Sequence, residues 1–143
     1  MTQAMCTSFK VELFQAVHNF KASGGNQFKC ALATSSASLN AGTSNYSELG
    51  ANEVTSSGYT AGGFPLVNVD SSAAGVVAMQ SFSTNPSWFG VSFTTSQALV
   101  YNASAGNKAV AVIDFGGSQT VVLGTFIINL PPVTATTAFL RLV

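Results

Sequence analysis

Charge is what this sequence has least of. Only 7% of its residues are Asp, Glu, Lys or Arg, where about 25% is usual for a soluble domain. The five basic residues, Lys10, Lys21, Lys29, Lys108 and Arg141, are scattered along the chain and matched by five acids. No basic patch forms, so nucleic acid finds no electrostatic footing as a direct partner. No apolar run approaches 18 residues, which excludes a membrane-spanning helix. The opening residues, MTQAMCTSFKVELF, lack a basic start followed by a long apolar stretch. They do not read as a secretory signal, and synthesis in a cytoplasm is the expectation.

Cysteine and histidine are nearly as scarce. Cys6 and Cys30 are the only cysteines. They could form one disulfide, but the expected compartment is reducing and the spacing is not that of a metal site, so free thiols are expected. His18 is the only histidine, with no cysteine or carboxylate at metal-ligand spacing, and reads as a structural or surface residue. A Ser-His-Asp triad would have to use it as the base, and no G-x-S-x-G elbow accompanies it. Glu12, Glu48, Glu53 and Asp70 are too dispersed to single out a catalytic carboxylate pair. Asp114-Phe115-Gly116-Gly117 matches a kinase motif. It stands without a phosphate loop or catalytic loop, and reads as a strand end turning through glycines. No catalytic, cofactor-binding or metal-ligating residue is assigned, and no enzyme is expected.

What is present is apolar or uncharged. Hydrophobic residues make up 47% of 143 positions, enough for one domain with a real core. The rest of the coat is Ser, Thr, Asn, Gln and Gly. A net charge of zero favours association over repulsion. A soluble β domain with a hydroxyl-rich skin fits this composition. So does a subunit whose surface is covered by neighbours, and the depletion of charge in interface cores favours that second reading.

Residues 8–20, SFKVELFQAVHNF, carry the one strong helical pattern. Phe9, Leu13, Ala16, Val17 and Phe20 recur at three- and four-residue steps. Ser8 can cap the start, and Ser23-Gly24-Gly25-Asn26 ends the segment. Val11 and Phe14 fall off the main stripe, so the helix wants more than one neighbour. The stretch 34–63 is polar and long for a loop, with one helical turn expected in SELGANEV under Ser47 as cap. From Phe64 onward, PLVNV, GVVAMQSFS, FGVSFTTS, QALVYN, KAVAVIDF, TVVLGTFIINL and TTAFLRLV read as short strands between turns. KAVAVIDF is apolar on both faces, which marks a central strand. In TVVLGTFIINL, Val122, Phe126 and Ile128 share a parity with Gly124. That glycine indicates a bulge or close backbone approach, and Pro131-Pro132 stops the strand. The expected fold is mainly β, an antiparallel β-sandwich or jelly roll with a short N-terminal helix. Residues 1–25 form a helical segment or arm, and 26–143 a single β-sandwich domain.

The stretch SGYTAGG, 57–63, tests the alternative of a phosphate-binding loop. It is followed by FPLV rather than by a helix, and no lysine is near, so a phosphate cradle is excluded. Its glycines read as turn positions with positive φ. Tyr59 is either an aromatic presented at an interface or a ring lying on its own core.

The order of these motifs resembles a family of small tailed-bacteriophage virion proteins. The matching run is SFKVELFQAVHNF, FKCALATSSASL, NEV with SGYTAGG, ALVYN, NKAVAVIDFG and TTAFLRL. The resemblance implies a structural part of the phage particle and no catalytic residues. Its most plausible role is a decoration (cement) protein bound over the major capsid protein of the head. A homo-oligomer, a trimer above others, is the expected assembly, since closed symmetry buries strand edges. A neck or tail component is the first alternative. A receptor- or glycan-binding module is the second, with Trp88 and Tyr101 offering the aromatic platform. Candidate contact residues are Phe9, Leu13 and Phe14 in the N-terminal segment, Tyr46 and Tyr59 in the polar stretch, and Trp88 and Phe89 after Asn85-Pro86-Ser87. Hot spots are rich in Trp and Tyr; Trp88 can equally be a core residue capping the sandwich.

Overall fold

The computed structural model describes Met1 to Val143. It is mainly β, with two antiparallel sheets and a short N-terminal helix, consistent with a β-sandwich. In chain order the elements are β1 (Thr2–Met5), α1 (Thr7–Phe14), β2 (Phe28–Ala33), a 3₁₀ segment (Tyr46–Asn52), β3 (Phe64–Pro65), β4 (Ser72–Ala74), β5 (Val77–Gln80), β6 (Ser87–Asn102), β7 (Lys108–Ile127) and β8 (Leu140–Leu142). The larger sheet runs β1-β7-β6-β2-β3 and the smaller β4-β5-β8.

The long hairpin β6–β7 is the spine. Near its turn, Leu99 pairs with Val112 and Ala98 with Ile113, and β1 and β2 flank the pair on either side. Ala109 through Ile113 are all buried, as a strand apolar on both faces requires. Four of the expected short strands are therefore two long ones: FGVSFTTS joins QALVYN, and KAVAVIDF joins TVVLGTFIINL. The glycines of Asp114-Phe115-Gly116-Gly117 do not end β7. They take φ of 77° and 149° in a bulge where Ser96 of β6 stands between Thr95↔Gln119 and Gln97↔Asp114. Only glycine enters that backbone region without strain, so the surplus residues loop out while pairing continues.

Further register shifts flank Val91, which pairs with Gly124, and Leu123 beside it takes φ 46°. The irregularity expected at Gly124 is present. It also breaks the parity read along this stretch: Val122 and Leu123 are both exposed, whereas Ile128 is buried. The bulges curl the far half of the hairpin. Phe115 and Phe126 are eleven residues apart on one strand, about 36 Å if it were straight, yet their ring centroids lie 5.7 Å apart. β7 ends at Ile127, ahead of the proline pair.

The N-terminal segment differs from expectation in three ways. Residues 2–5 form an edge strand, with Gln3 opposite Ile113. The helix ends at Phe14, not Phe20, because Ala16 turns to φ 56° and the chain doubles back to bring His18 to Glu12. Cys6, not Ser8, holds the N-cap position and makes no side-chain cap, while the Ser8 hydroxyl is buried without a partner. Residues 1–25 are thus no free arm: β1 completes the larger sheet, and Phe9 lies in the one hydrophobic core. An aromatic seam joins the layers. Phe20 stacks on Phe28 at 4.4 Å, Phe28 meets Phe82 at 5.7 Å, and Phe82 meets Phe139 at 6.0 Å.

The polar stretch 34–63 is ordered around its own hydrogen bonds. Asn45, not Ser47, caps the 3₁₀ segment. Its side chain accepts from the Ser47 N–H, and Glu48 completes a capping box. Two backbone bridges, Ala33↔Glu53 and Asn45↔Lys108, tie this stretch to the larger sheet.

Candidate functional site

Two polar knots tie loops to the larger sheet, the first partly buried and the second buried. In the first, the Glu53 carboxylate receives the Tyr46 hydroxyl at 2.5 Å, the Tyr59 hydroxyl at 2.8 Å and the Gly62 N–H at 2.7 Å. The Tyr59 oxygen accepts from the Leu32 N–H at 2.9 Å, and the Tyr101 hydroxyl donates to the Gly62 carbonyl at 2.6 Å. Tyr46 stacks on Tyr101 at 4.5 Å. Burial, and then the Glu53 carboxylate, raise the Tyr46 phenol above its ordinary value. Burial raises Tyr59 most of all and pushes Tyr101 up to about 12. With Tyr46, Tyr59 and the Gly62 N–H all donating to Glu53, the knot clamps the stretch 53–63.

In SGYTAGG, Gly58, Gly62 and Gly63 all have positive φ, as turn positions require. Tyr59 lies on its own core beside Trp88, ring centroids 5.9 Å apart. Of the two readings left open for this residue, the core one holds.

The second knot surrounds His18. Its Nε2 lies 2.7 Å from Glu12 Oε2, and its Nδ1 lies 3.0 Å from Asn102 Nδ2. The Asn102 oxygen is committed to the backbone N–H groups of Ser104 and Ala105, so its amide must donate. His18 Nδ1 therefore accepts, and the ring proton sits on Nε2 facing Glu12. Lys108 Nζ adds a contact to Glu12 at 3.3 Å. Both imidazole nitrogens are occupied, and the His18 side chain is fully buried. A general base must reach a substrate proton; this one is turned inward to staple the returning chain to the β6–β7 turn.

Cys6 and Cys30 are buried and unpaired. Burial pushes their thiols up to about 11 and about 12, away from the reactive thiolate. No group of three His, Cys, Asp or Glu residues gathers to hold a metal ion. No helix is long and apolar enough to cross a membrane.

The seven candidate contact residues separate into three groups. Phe9, Tyr59 and Trp88 are buried and form part of the core. They are unavailable as surface contacts, and with Tyr101 also buried, Trp88 and Tyr101 present no open aromatic platform for a glycan. Leu13 and Tyr46 are half-buried at the margin of the core. Phe14 is 96% exposed at the end of α1, and Phe89 is 70% exposed on the outside of the curled hairpin.

Sequence reasoning passed over other exposed apolar side chains. Val122 and Leu123, the latter 84% exposed, sit on the same half of the hairpin as Phe89; Val76 lies in the β4–β5 turn and Leu142 in β8 of the smaller sheet. The Val-Val-Leu run before Gly124 was the available signal, but it reads as core unless the bulge is known. Beside α1 lie two hollows. One is an open cleft of about 960 Å³ whose lining includes Leu13, Ala16, His18, Phe20 and Asp70. The other is an apolar pocket of about 110 Å³ between α1 and the smaller sheet.

No protein-family model, no curated protein and no solved structure matches this chain. The fold and surface define its class only as a mainly β, two-sheet chain with a short N-terminal helix.

Proposed function

We propose that this chain is a structural subunit of a bacteriophage particle, a decoration protein that binds over the major capsid protein and stabilises the mature head. The observation that supports it best is the uncovered apolar surface. Phe14, Phe89, Val122 and Leu123 face water in a chain with 7% charge and zero net charge. Exposed apolar groups rimmed by uncharged polar ones suit contacts with other proteins. Few charges lower the desolvation cost of each contact, while Ser, Thr and Asn offer adaptable hydrogen bonds. Repetition over a symmetric shell multiplies a modest contact through multivalency. The phage setting rests on the motif order described above.

The test compares particles assembled with and without the chain. Particles lacking it assemble, and lose their nucleic acid at lower temperature. Equal heat resistance would count against a cementing role. Counting copies in purified particles locates the chain: hundreds per particle fit the head, whereas on the order of six to twelve, set by the symmetry of a single vertex, fit a neck or tail part.

A further inference from the structure

We propose that the end of α1 and the apolar pocket beside it are two halves of one contact between copies of this chain, with Phe14 of one copy entering the pocket of the next. The pocket lies where the two sheets part. Phe9, Leu13 and Phe20 wall one side, and Met79, Leu140 and Leu142 the other. Its polar members are already satisfied: the Gln80 amide donates to the Val69 and Ser81 carbonyls and its oxygen accepts from the Ser71 hydroxyl. Nothing in the lining therefore asks for water or a polar ligand. The volume, about 110 Å³, is of the order of the roughly 150 Å³ apolar cavity that takes benzene. A phenyl ring entering through an open mouth is a fitting occupant.

The chain carries such a ring one residue beyond the pocket lining. Leu13 lines the pocket, and the next residue, Phe14, points away from it into solvent. Val11, also exposed, stands one turn before Phe14 on the same helical face. A knob that cannot reach its own hole, set beside that hole, is the arrangement a self-complementary interface needs. In the proposed contact a twofold rotation pairs two α1 helices, so that each copy supplies one Phe14 and one pocket. Zero net charge removes long-range repulsion between copies. Lys10, exposed on the same helix, can keep its ammonium in water while its stem covers apolar surface.

This contact rests on the homo-oligomer expected from the sequence, with twofold in place of threefold symmetry, and not on the particle role. It is tested on the isolated chain, so its failure and that of the particle role are separable. Equilibrium sedimentation would compare the wild type, Phe14→Ala, Ala78→Phe and an equimolar mixture of the two variants. Ala78 is exposed and lines the pocket, so the larger side chain fills the hole from within. The wild type associates, and each variant alone weakens association at least about 30-fold, the usual scale for an interface hot spot. The mixture recovers part of the loss, because Phe14→Ala keeps an open pocket and Ala78→Phe keeps the knob. Circular dichroism checks that both variants fold; if Ala78→Phe does not, Ala78→Met replaces it. A wild type that stays monomeric at about 0.1 mM, well above ordinary dissociation constants, would overturn the proposal. So would a Phe14→Ala variant that associates like wild type, or a mixture no tighter than its components.

Discussion

At Gly63 an added Cβ would stand 2.0 Å from the Cys30 carbonyl oxygen, in a backbone with φ +86°. Space and conformation both forbid a side chain there. Gly63→Ala therefore costs well over the roughly 1 kcal/mol of an ordinary misplaced alanine, read as a drop in denaturation midpoint. Gly24, at φ +74° with open space around it, is the control: there only the conformational part is lost. Glu53 sets a second test at this scale. Replacing it with alanine leaves two phenols and the Gly62 N–H without their acceptor. Each orphaned group costs about 1–3 kcal/mol where it is out of reach of water, so Glu53→Ala loses at least about 2 kcal/mol of stability. The cysteines differ in kind. With both thiols buried and pushed up by burial, an aromatic disulfide reagent at pH 8 reacts with neither in the native chain, and with two per chain in denaturant. Fast labelling of the native protein would show that the core opens where the structure has it closed.

Helix α1 is where sequence pattern and structure part most. The apolar spacing from Phe9 continues to Phe20, so a helix to residue 20 is the natural reading. Yet Ala16 leaves the helical region because the Glu12–His18 pair, six residues apart, closes only if the chain turns back. A local pattern carries no trace of that tertiary pair. The strand 108–113 was legible, since an unbroken Ala-Val-Ala-Val-Ile run has no polar face to offer water. So were the turn glycines of 57–63, because three in seven positions have no other efficient use. β1 was not: Thr-Gln-Ala-Met is too short to show alternation, and only its pairing with β7 defines it. At the candidate surface, Phe14 was legible as a residue off the main stripe. Tyr59 and Trp88 were not placed, since an aromatic beside a turn does not reveal which way its ring faces. Paired substitutions on α1 separate the two faces. Phe9→Ala empties a fully buried site and costs about 3–5 kcal/mol. Phe14→Ala, five residues on and exposed, leaves the unfolding free energy of the dissociated chain within about 0.5 kcal/mol of wild type. A large loss at Phe14 in dilute protein would mean that its ring is packed within its own chain.

For the molecule as a whole, scarcity of charge shapes how stability responds to pH. The groups most displaced by folding are neutral acids: Cys6, pushed up to about 11, Cys30 and Tyr101, to about 12, and Tyr46 and Tyr59, raised further. Desolvation is the leading cause in each. The folded chain holds these protons more tightly than the unfolded chain, which releases them near the ordinary values of 9.0 for cysteine and 10.0 for tyrosine. Their contribution is therefore complete below about pH 9, and it is lost as pH rises from there through the folded values. Cys30, wholly buried, alone removes about 1.4 kcal/mol per pH unit across that window. On the acid side Glu48 has the opposite sign. Hydrogen bonds from Ser44 lower it below 4.5, so its contribution is present above that value and lost as pH falls through the folded one, muted by exposure. Denaturant midpoints should drop steeply between pH 9 and 11, with Cys30→Ala shallower than wild type over the first part of the fall. A wild-type midpoint at pH 11 equal to that at pH 8 would mean that these thiols and phenols are reached by water in the folded chain. In that case the closed core between the two sheets, on which the clamp at Glu53 and the outward face of Phe14 both depend, could not be as described.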